Sequence, residues 1–146
     1  MMKISIGADH KGFVLKEALK KSLPVHEWID VGALSSERSD YPVFAHAVCN
    51  NVIQGITPLG VLLCGSGVGM SIAANRYAGI YAALCWTVNG AKQAREDDGA
   101  NILVLPALEI SAQDAQLIVQ AWLVAKFKAG RYQERLMLLE DFASRK

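Results

Sequence analysis

The stretch Leu59-Gly60-Val61-Leu62-Leu63-Cys64, followed at once by Gly65-Ser66-Gly67-Val68-Gly69, constrains the fold more than any other part of the chain. A short apolar run with no polar residue on either side of the pleat reads as a strand buried on both faces. Strands of that kind sit in parallel sheets covered by helices. Parallel neighbours are reached only by crossovers, so helices should alternate with strands along the sequence.

They do. Ile4 to Ala8 reads as a buried strand, and Gly12 to Leu23 carries Phe13, Leu15, Ala18, Leu19 and Leu23 at helical spacing before Pro24. His26 to Val31 is a more polar strand, suited to a place near an edge. After the polar loop Leu34 to Tyr41, Pro42 opens a helix that runs to Gln54. The glycine-rich run opens another, ending at Asn75. Ile80 to Cys85 and Ile102 to Leu105 are two further strands, with a helix over Val88 to Arg95 between them. Ser111 and Asp114 have capping-box spacing for a helix from Ala112 to Lys128. Gly130 breaks it, and a last helix covers Arg131 to Ser144.

This pattern predicts a three-layer α/β/α domain with a five-stranded parallel sheet, Rossmann-like, in the order 2-1-3-4-5. The 146 residues are expected to form one domain, because a chain of that size buries roughly 68–70% of its unfolded surface. In that order the first and third strands are neighbours, and ligands bind in the crevice between their carboxyl ends. Asp9-His10 and Cys64 to Gly69 fall at those two ends.

The glycines let backbone approach a ligand closely and turn successive N–H groups toward it. With a helix N-terminus behind them, those donors suit a phosphate or an oxyanion formed during reaction. The spacing is neither the dinucleotide fingerprint nor a P-loop, and by itself it fits a tight strand-to-helix turn equally well. Cys64 stands at the mouth of this loop, where nearby N–H groups favour a thiolate able to act as base or nucleophile; a small apolar strand end is the competing reading. Cys49 and Cys85 read as core residues, and His26 and His46 as structural or surface residues. Arg131 and Arg135, four apart on one helix face, form a fork suited to phosphate, or else part of a solvated basic surface with Lys126 and Lys128.

Bulk properties narrow the partners. A formal net charge of +1 supplies no global field, which argues against nucleic acid or an acidic membrane surface. No apolar run approaches the ~20 residues of a membrane span, and the N-terminus enters a strand directly, unlike a signal peptide. The three cysteines form no C-x-x-C pair and have no matching histidine pattern. No metal and no cofactor are therefore expected, and a reducing cytoplasm is the expected location.

Four segments carry a resemblance. Gly7-Ala8-Asp9-His10-Lys11-Gly12-Phe13, Ser36-Glu37-Arg38-Ser39-Asp40-Tyr41-Pro42, Cys64 to Asn75 (CGSGVGMSIAAN) and Gly130-Arg131-Tyr132-Gln133-Glu134-Arg135 resemble the type B ribose-5-phosphate isomerase family, which includes the galactose-6-phosphate isomerase subunits. The resemblance implies an aldose–ketose isomerase of a small phosphorylated sugar, with ribose 5-phosphate and ribulose 5-phosphate the first expectation. It implies that Cys64 moves a proton between C1 and C2 through an enediolate. Some relatives use a carboxylate where this chain has Met70. The N–H groups of Gly65, Gly67, Val68 and Gly69, with Ser66 assisting, would hold the enediolate oxygens. Asp9 would bind sugar hydroxyls, and His10, Arg131 and Arg135 the phosphate. It further implies a homodimer or homotetramer with shared sites, the C-terminal helix taking part and Asp97, Asp98 and the arginines coming from a neighbour.

The chain departs from the family pattern at informative places. Asp97 and Asp98 stand where a ring-opening histidine and an asparagine are expected, and Leu108 where a phosphate-binding arginine is expected. Histidine exchanges protons near neutrality unaided. An aspartate needs burial or negative neighbours to do so, and Glu96 and Asp98 are candidates for such neighbours; a solvated helix end is the alternative. Three functions therefore stay open: a ribose 5-phosphate isomerase using Asp97 or leaving ring opening to solution, an isomerase of a tetrose 4-phosphate or hexose 6-phosphate, and a non-catalytic or partner-dependent sugar-phosphate-binding subunit.

Overall fold

The computed structural model describes residues 1–145. Strands β1 (Lys3–Ala8), β2 (Glu27–Asp30), β3 (Leu59–Cys64), β4 (Ala82–Leu84) and β5 (Ile102–Pro106) form one parallel sheet. Helices α1 (Phe13–Ser22), α2 (Tyr41–Ile53), α3 (Val68–Ala74), α4 (Val88–Asp98), α5 (Ala112–Val124) and α6 (Arg131–Ala143) complete the described elements.

The strand order is β2-β1-β3-β5-β4, which corrects the expected 2-1-3-4-5. Every residue of β5 is buried, whereas the three residues of β4 are only half-buried. The position beside β3 goes to the strand that can bury both faces, and the short Ala82-Ala83-Leu84 takes the edge. Right-handed crossovers then dictate the helix layers: connections running one way across the sheet place α2 and α3 on one face, and those running back place α1 and α4 on the other. The two cores match this division. Leu15, Leu19, Ala91, Ile118 and Trp122 pack with Ile6, Leu63 and Leu105, while Val48, Met70 and Ala74 pack with Leu62, Ile102 and Val104. The reversal between β1 and β3 is untouched by the exchange at the far edge, so the expected crevice is present.

Two helix ends differ from expectation for one reason. Helix α5 stops at Val124 rather than Lys128, and α4 continues through Glu96 and Asp97 to Asp98. The segment after α5 is drawn to the end of α4: the Lys128 N–H donates to Glu96 O at 2.9 Å, and Phe127 packs against Gly99. Gly99 closes α4 at φ +59°, a conformation that favours glycine. Thr87 and Ser111 cap α4 and α5, their hydroxyls accepting from Gly90 N and Asp114 N. Helix α6 lies beside α4 and the start of β4, buries Leu136 and accepts the Tyr81 hydroxyl on Glu140 at 2.6 Å.

One buried ion cluster braces the loop between β2 and α2. Lys16 is fully buried and meets Asp30 at 2.6 Å and Glu17 at 3.0 Å, while Lys20 reaches Asp30 at 2.5 Å. The other Asp30 oxygen accepts from Gly32 N at 2.8 Å. Gly32 O in turn accepts from Ala8 N, and Ala33 N donates to Ala8 O, so the loop is stitched across the end of β1.

Candidate active site

At the carboxyl end of the sheet, Cys64 closes β3 with 5% exposure, in register with Pro106 of β5. The loop behind it is shaped by close contacts. Gly67 has φ +78°, and a side chain there would run into Leu84. The Tyr41 ring lies against Gly69, and Lys11 and Leu108 both lie against Gly65. The β5–α5 connection is tied to the loop by Ala107 N donating to Cys64 O at 2.9 Å and Leu108 N to Gly65 O at 3.0 Å. Among the described residues, the amide groups of Gly65, Ser66, Gly67 and Gly69 meet no protein acceptor. Val68 differs from the expectation for the loop, since its N–H is used by Ser66 Oγ at 3.2 Å. Ser66 keeps its own hydroxyl proton to donate.

Asp9 and His10 flank this loop across the β1–β3 crevice. Asp9 is 6% exposed, and its Oδ1 accepts from Lys11 N at 3.0 Å and Gly12 N at 3.2 Å. The carboxylate is thereby oriented, with Oδ2 left for a ligand. His10 Nδ1 lies 3.1 Å from Ser39 O and 3.3 Å from Ser39 N, so the braced β2–α2 loop holds the ring. If the Ser39 N–H donates to Nδ1, the proton of the neutral ring sits on Nε2, ready for an anion.

The remaining expected residues lie elsewhere. Asp97 and Asp98 end α4, just before the amino end of β5, whereas Cys64 faces the carboxyl end of that strand. The strand alone separates the two ends by about 13 Å. Arg131 and Arg135 gather with Asp97 at that opposite end: their guanidinium carbons lie 5.3 Å from the Tyr132 ring centre, with Lys128 Nζ at 5.2 Å. A hydrogen bond from Arg131 and the charge of Lys128 hold the Tyr132 hydroxyl below its ordinary range. Asp97 is paired with Lys128 at 2.9 Å, and that contact raises the Lys128 ammonium above its usual range. Asp97 thus faces a cation on the segment after α5 as well as its acidic neighbours on α4. Within one chain the expected site residues therefore fall into two groups at opposite ends of the sheet.

Four residues that the sequence did not single out lie against the expected ones in the folded chain: Lys11, Tyr41, Lys128 and Tyr132. Lys11, Tyr41 and Tyr132 stand inside the recognisable motifs, and that was the available signal. Nothing local marks Lys128, whose partners lie on α4. Among the described residues no group of acids, histidines and cysteines is arranged to hold a metal ion, and no helix is long and apolar enough to cross a membrane.

Comparison with known proteins agrees with the motifs. The Ribose/Galactose Isomerase family model matches residues 4–139. The chain is 40% identical to ribose-5-phosphate isomerase B of Escherichia coli over 148 aligned positions, covering 100% of this chain and 99% of that one. The crystal structure of a ribose 5-phosphate isomerase from Thermotoga maritima superposes with a TM-score of 0.94 at 44% identity, covering 96% and 98% of the two chains. Ribose-5-phosphate isomerase B from Mycoplasma genitalium, solved with bound ribulose-5-phosphate, superposes with a TM-score of 0.92 at 33% identity, covering 99% of this chain and 97% of that one. With a matching family model over nearly its whole length and the same fold and motifs, this chain belongs to the ribose/galactose isomerase family.

Proposed function

We propose that this protein interconverts the aldose and ketose forms of a phosphorylated sugar, with ribose 5-phosphate and ribulose 5-phosphate as its pair. The observation that carries this reading is Cys64 at the end of β3, beside four backbone N–H groups without a protein acceptor. In the forward direction the Cys64 thiolate takes the proton from C2 of the open-chain aldose. The electron pair forms the C1–C2 double bond of an enediolate, and the carbonyl electrons move onto O1. The amides of Gly65, Ser66, Gly67 and Gly69 hold that oxygen charge in fixed positions. The thiol then returns the proton to C1 while C2–O2 becomes the ketone, with the Ser66 hydroxyl relaying the proton that leaves O2 to O1, which ends as the C1 hydroxyl. Asp9 Oδ2 accepts a sugar hydroxyl, and His10 Nε2 meets the phosphate.

Arg131 and Arg135 serve as phosphate ligands, and Asp97 and Asp98 face the sugar, in a site completed by a second copy of the chain. The separation of the two groups of residues within one chain supports this, as do the exposed apolar residues on α3 and α6. Val68 and Ile72 on α3, and Met137, Leu138, Leu139 and Phe142 on α6, are all at least half exposed. Ile72 and Leu139 among them line a groove of about 790 Å³ between the end of α3 and α6. A homodimer or homotetramer that covers this surface gives each Cys64 its arginines. We infer a single domain over residues 1–146 acting in the cytoplasm, with no nucleic acid or membrane partner.

The Asp97–Lys128 pair favours a second reading for the substrate, an aldose or ketose that needs no ring opening. A tetrose 4-phosphate has its O4 esterified and cannot close a furanose. Proton NMR in D2O with ribulose 5-phosphate, the keto-tetrose 4-phosphate and a keto-hexose 6-phosphate tests both readings. Aldose formation with deuterium at C2 from ribulose 5-phosphate supports the first, and turnover of the tetrose alone supports the second. Silence from all three, with Cys64 reduced, refutes isomerase activity for the isolated protein and leaves a binding or partner-dependent subunit.

A further inference from the structure

The carboxyl-end group holds one cation that the reaction scheme above does not use. Lys11 follows Asp9 and His10 in the β1–α1 connection, and its stem crosses to the β3–α3 loop. Its Cδ lies 2.9 Å from the point a Gly65 Cβ would occupy, and Leu108 Cδ1 lies 3.2 Å from the same point. A glycine at 65 is what allows that crossing. The ammonium, two bonds beyond Cδ, therefore reaches over the loop that follows Cys64.

Lys11 is exposed and makes no ion pair or side-chain hydrogen bond among the described residues. The nearest acid in sequence, Asp9, is turned inward by the Lys11 and Gly12 amides. The opposite wall of the same small space is Leu108, uncharged and 66% exposed. Arg131 and Arg135 belong to the other group. Within one chain, then, the positive charge leaning on the glycine loop comes from Lys11, beside the free edge of His10.

We propose that Lys11 is a ligand of the substrate phosphate, its ammonium standing over Gly65 beside His10 and supplying the charge that Leu108 cannot. The proposal rests on the sugar-phosphate reading of this site. A compact ammonium on a flexible stem suits a dianion that arrives from solvent and leaves again. The loop amides are committed to the reacting oxygens near Cys64, so the phosphate lies toward the rim, where Lys11 and His10 stand on consecutive residues.

The test is calorimetric titration of inorganic phosphate into the wild-type protein, Lys11→Met, Lys11→Arg and Lys11→Met/Leu108→Arg, with steady-state kinetics on ribulose 5-phosphate alongside. Losing one charge-assisted contact at an exposed rim should weaken phosphate binding about tenfold in Lys11→Met. KM should rise in parallel while kcat stays close to wild type. Lys11→Arg should remain within about threefold of wild type, since it keeps the charge but not the shape. An arginine at 108 approaches the same space from the other wall, so the double variant should regain most of the lost affinity. A purely structural role for the Lys11 stem predicts no such rescue. Phosphate affinity of Lys11→Met within twofold of wild type, no phosphate binding by the wild type, or failure of Leu108→Arg to restore binding would each overturn the proposal. Phosphate binding that depends on Lys11 in a protein that isomerises no sugar phosphate keeps Lys11 as a ligand and refutes the isomerase. Turnover with phosphate binding indifferent to Lys11 does the reverse.

Discussion

The buried cluster around Lys16 makes an asymmetric prediction about stability. Lys16 is fully buried, while Asp30 retains 17% side-chain exposure and has two other donors, Lys20 at 2.5 Å and Gly32 N at 2.8 Å. In Lys16→Met the apolar stem keeps its volume, the desolvation cost of the ammonium disappears, and Asp30 stays paired. The loss reduces to two charge-assisted hydrogen bonds, to Asp30 and to the partly exposed Glu17, offset by that relief, about 1–2 kcal/mol. In Asp30→Asn the amide oxygen can still accept from Gly32, but the buried Lys16 ammonium keeps only the partly exposed Glu17 carboxylate, at 3.0 Å, as a charged partner. An unpaired buried charge costs about 3–5 kcal/mol, and the partial pairing with Glu17 places this loss toward the lower end of that range. Urea unfolding followed by tryptophan fluorescence reads both values, with the fully buried Trp122 as a reporter. The double variant should be less destabilised than the sum of the singles, because the buried ammonium that lost its shorter contact is gone. Equal single losses, or a larger loss for Lys16→Met, would refute the reasoning. Acid titration is a second check. Burial pushes the Asp30 carboxyl up, but hydrogen bonds from Lys16, Lys20 and Gly32 N outweigh it and hold the group below its ordinary value. The stabilisation from this shift is present above the unfolded value, about 3.9, and is lost as pH falls through the lower folded value. Asp30→Asn should flatten stability against pH in that acid window.

Three further predictions concern the site. Cys64→Ala should abolish turnover while inorganic phosphate still binds, and normal turnover would place the base elsewhere. Arg131→Ala and Arg135→Ala should each raise KM about tenfold with kcat nearly kept, whereas a pure fall in kcat would assign them to the chemical step. Gly67→Ala forces a side chain into Leu84 at positive φ and should cost about 2–4 kcal/mol in urea unfolding; a loss below about 0.5 kcal/mol would show that the loop relaxes freely.

Much of the fold was legible because its signals are local. Leu59 to Cys64, apolar on both faces, marks a central parallel strand, and the glycines after it mark the turn that places Cys64 at the crevice. Asp9 and His10 follow from the same topology rule. The ends of α4 and α5 were misjudged because helical periodicity cannot report that Lys128 and Phe127 find better partners on α4 than in another turn of α5. Lys11 was overlooked for a similar reason: its relevance depends on Gly65 and Leu108, which lie on other strands' connections.

By itself the sequence determined the alternation of strands and helices, the placement of Cys64 and its glycine loop beside Asp9 and His10, and the family. Hydrophobic period, turn chemistry and motif spacing are properties of neighbouring residues. Only the tertiary structure decided that β5 and not β4 lies beside β3, since that is a competition between distant segments for buried area. The same is true of the distance between Cys64 and the group formed by Asp97, Asp98, Arg131 and Arg135. A strand's two ends point opposite ways, so residues that the motifs assign to one site stand at opposite ends of one sheet.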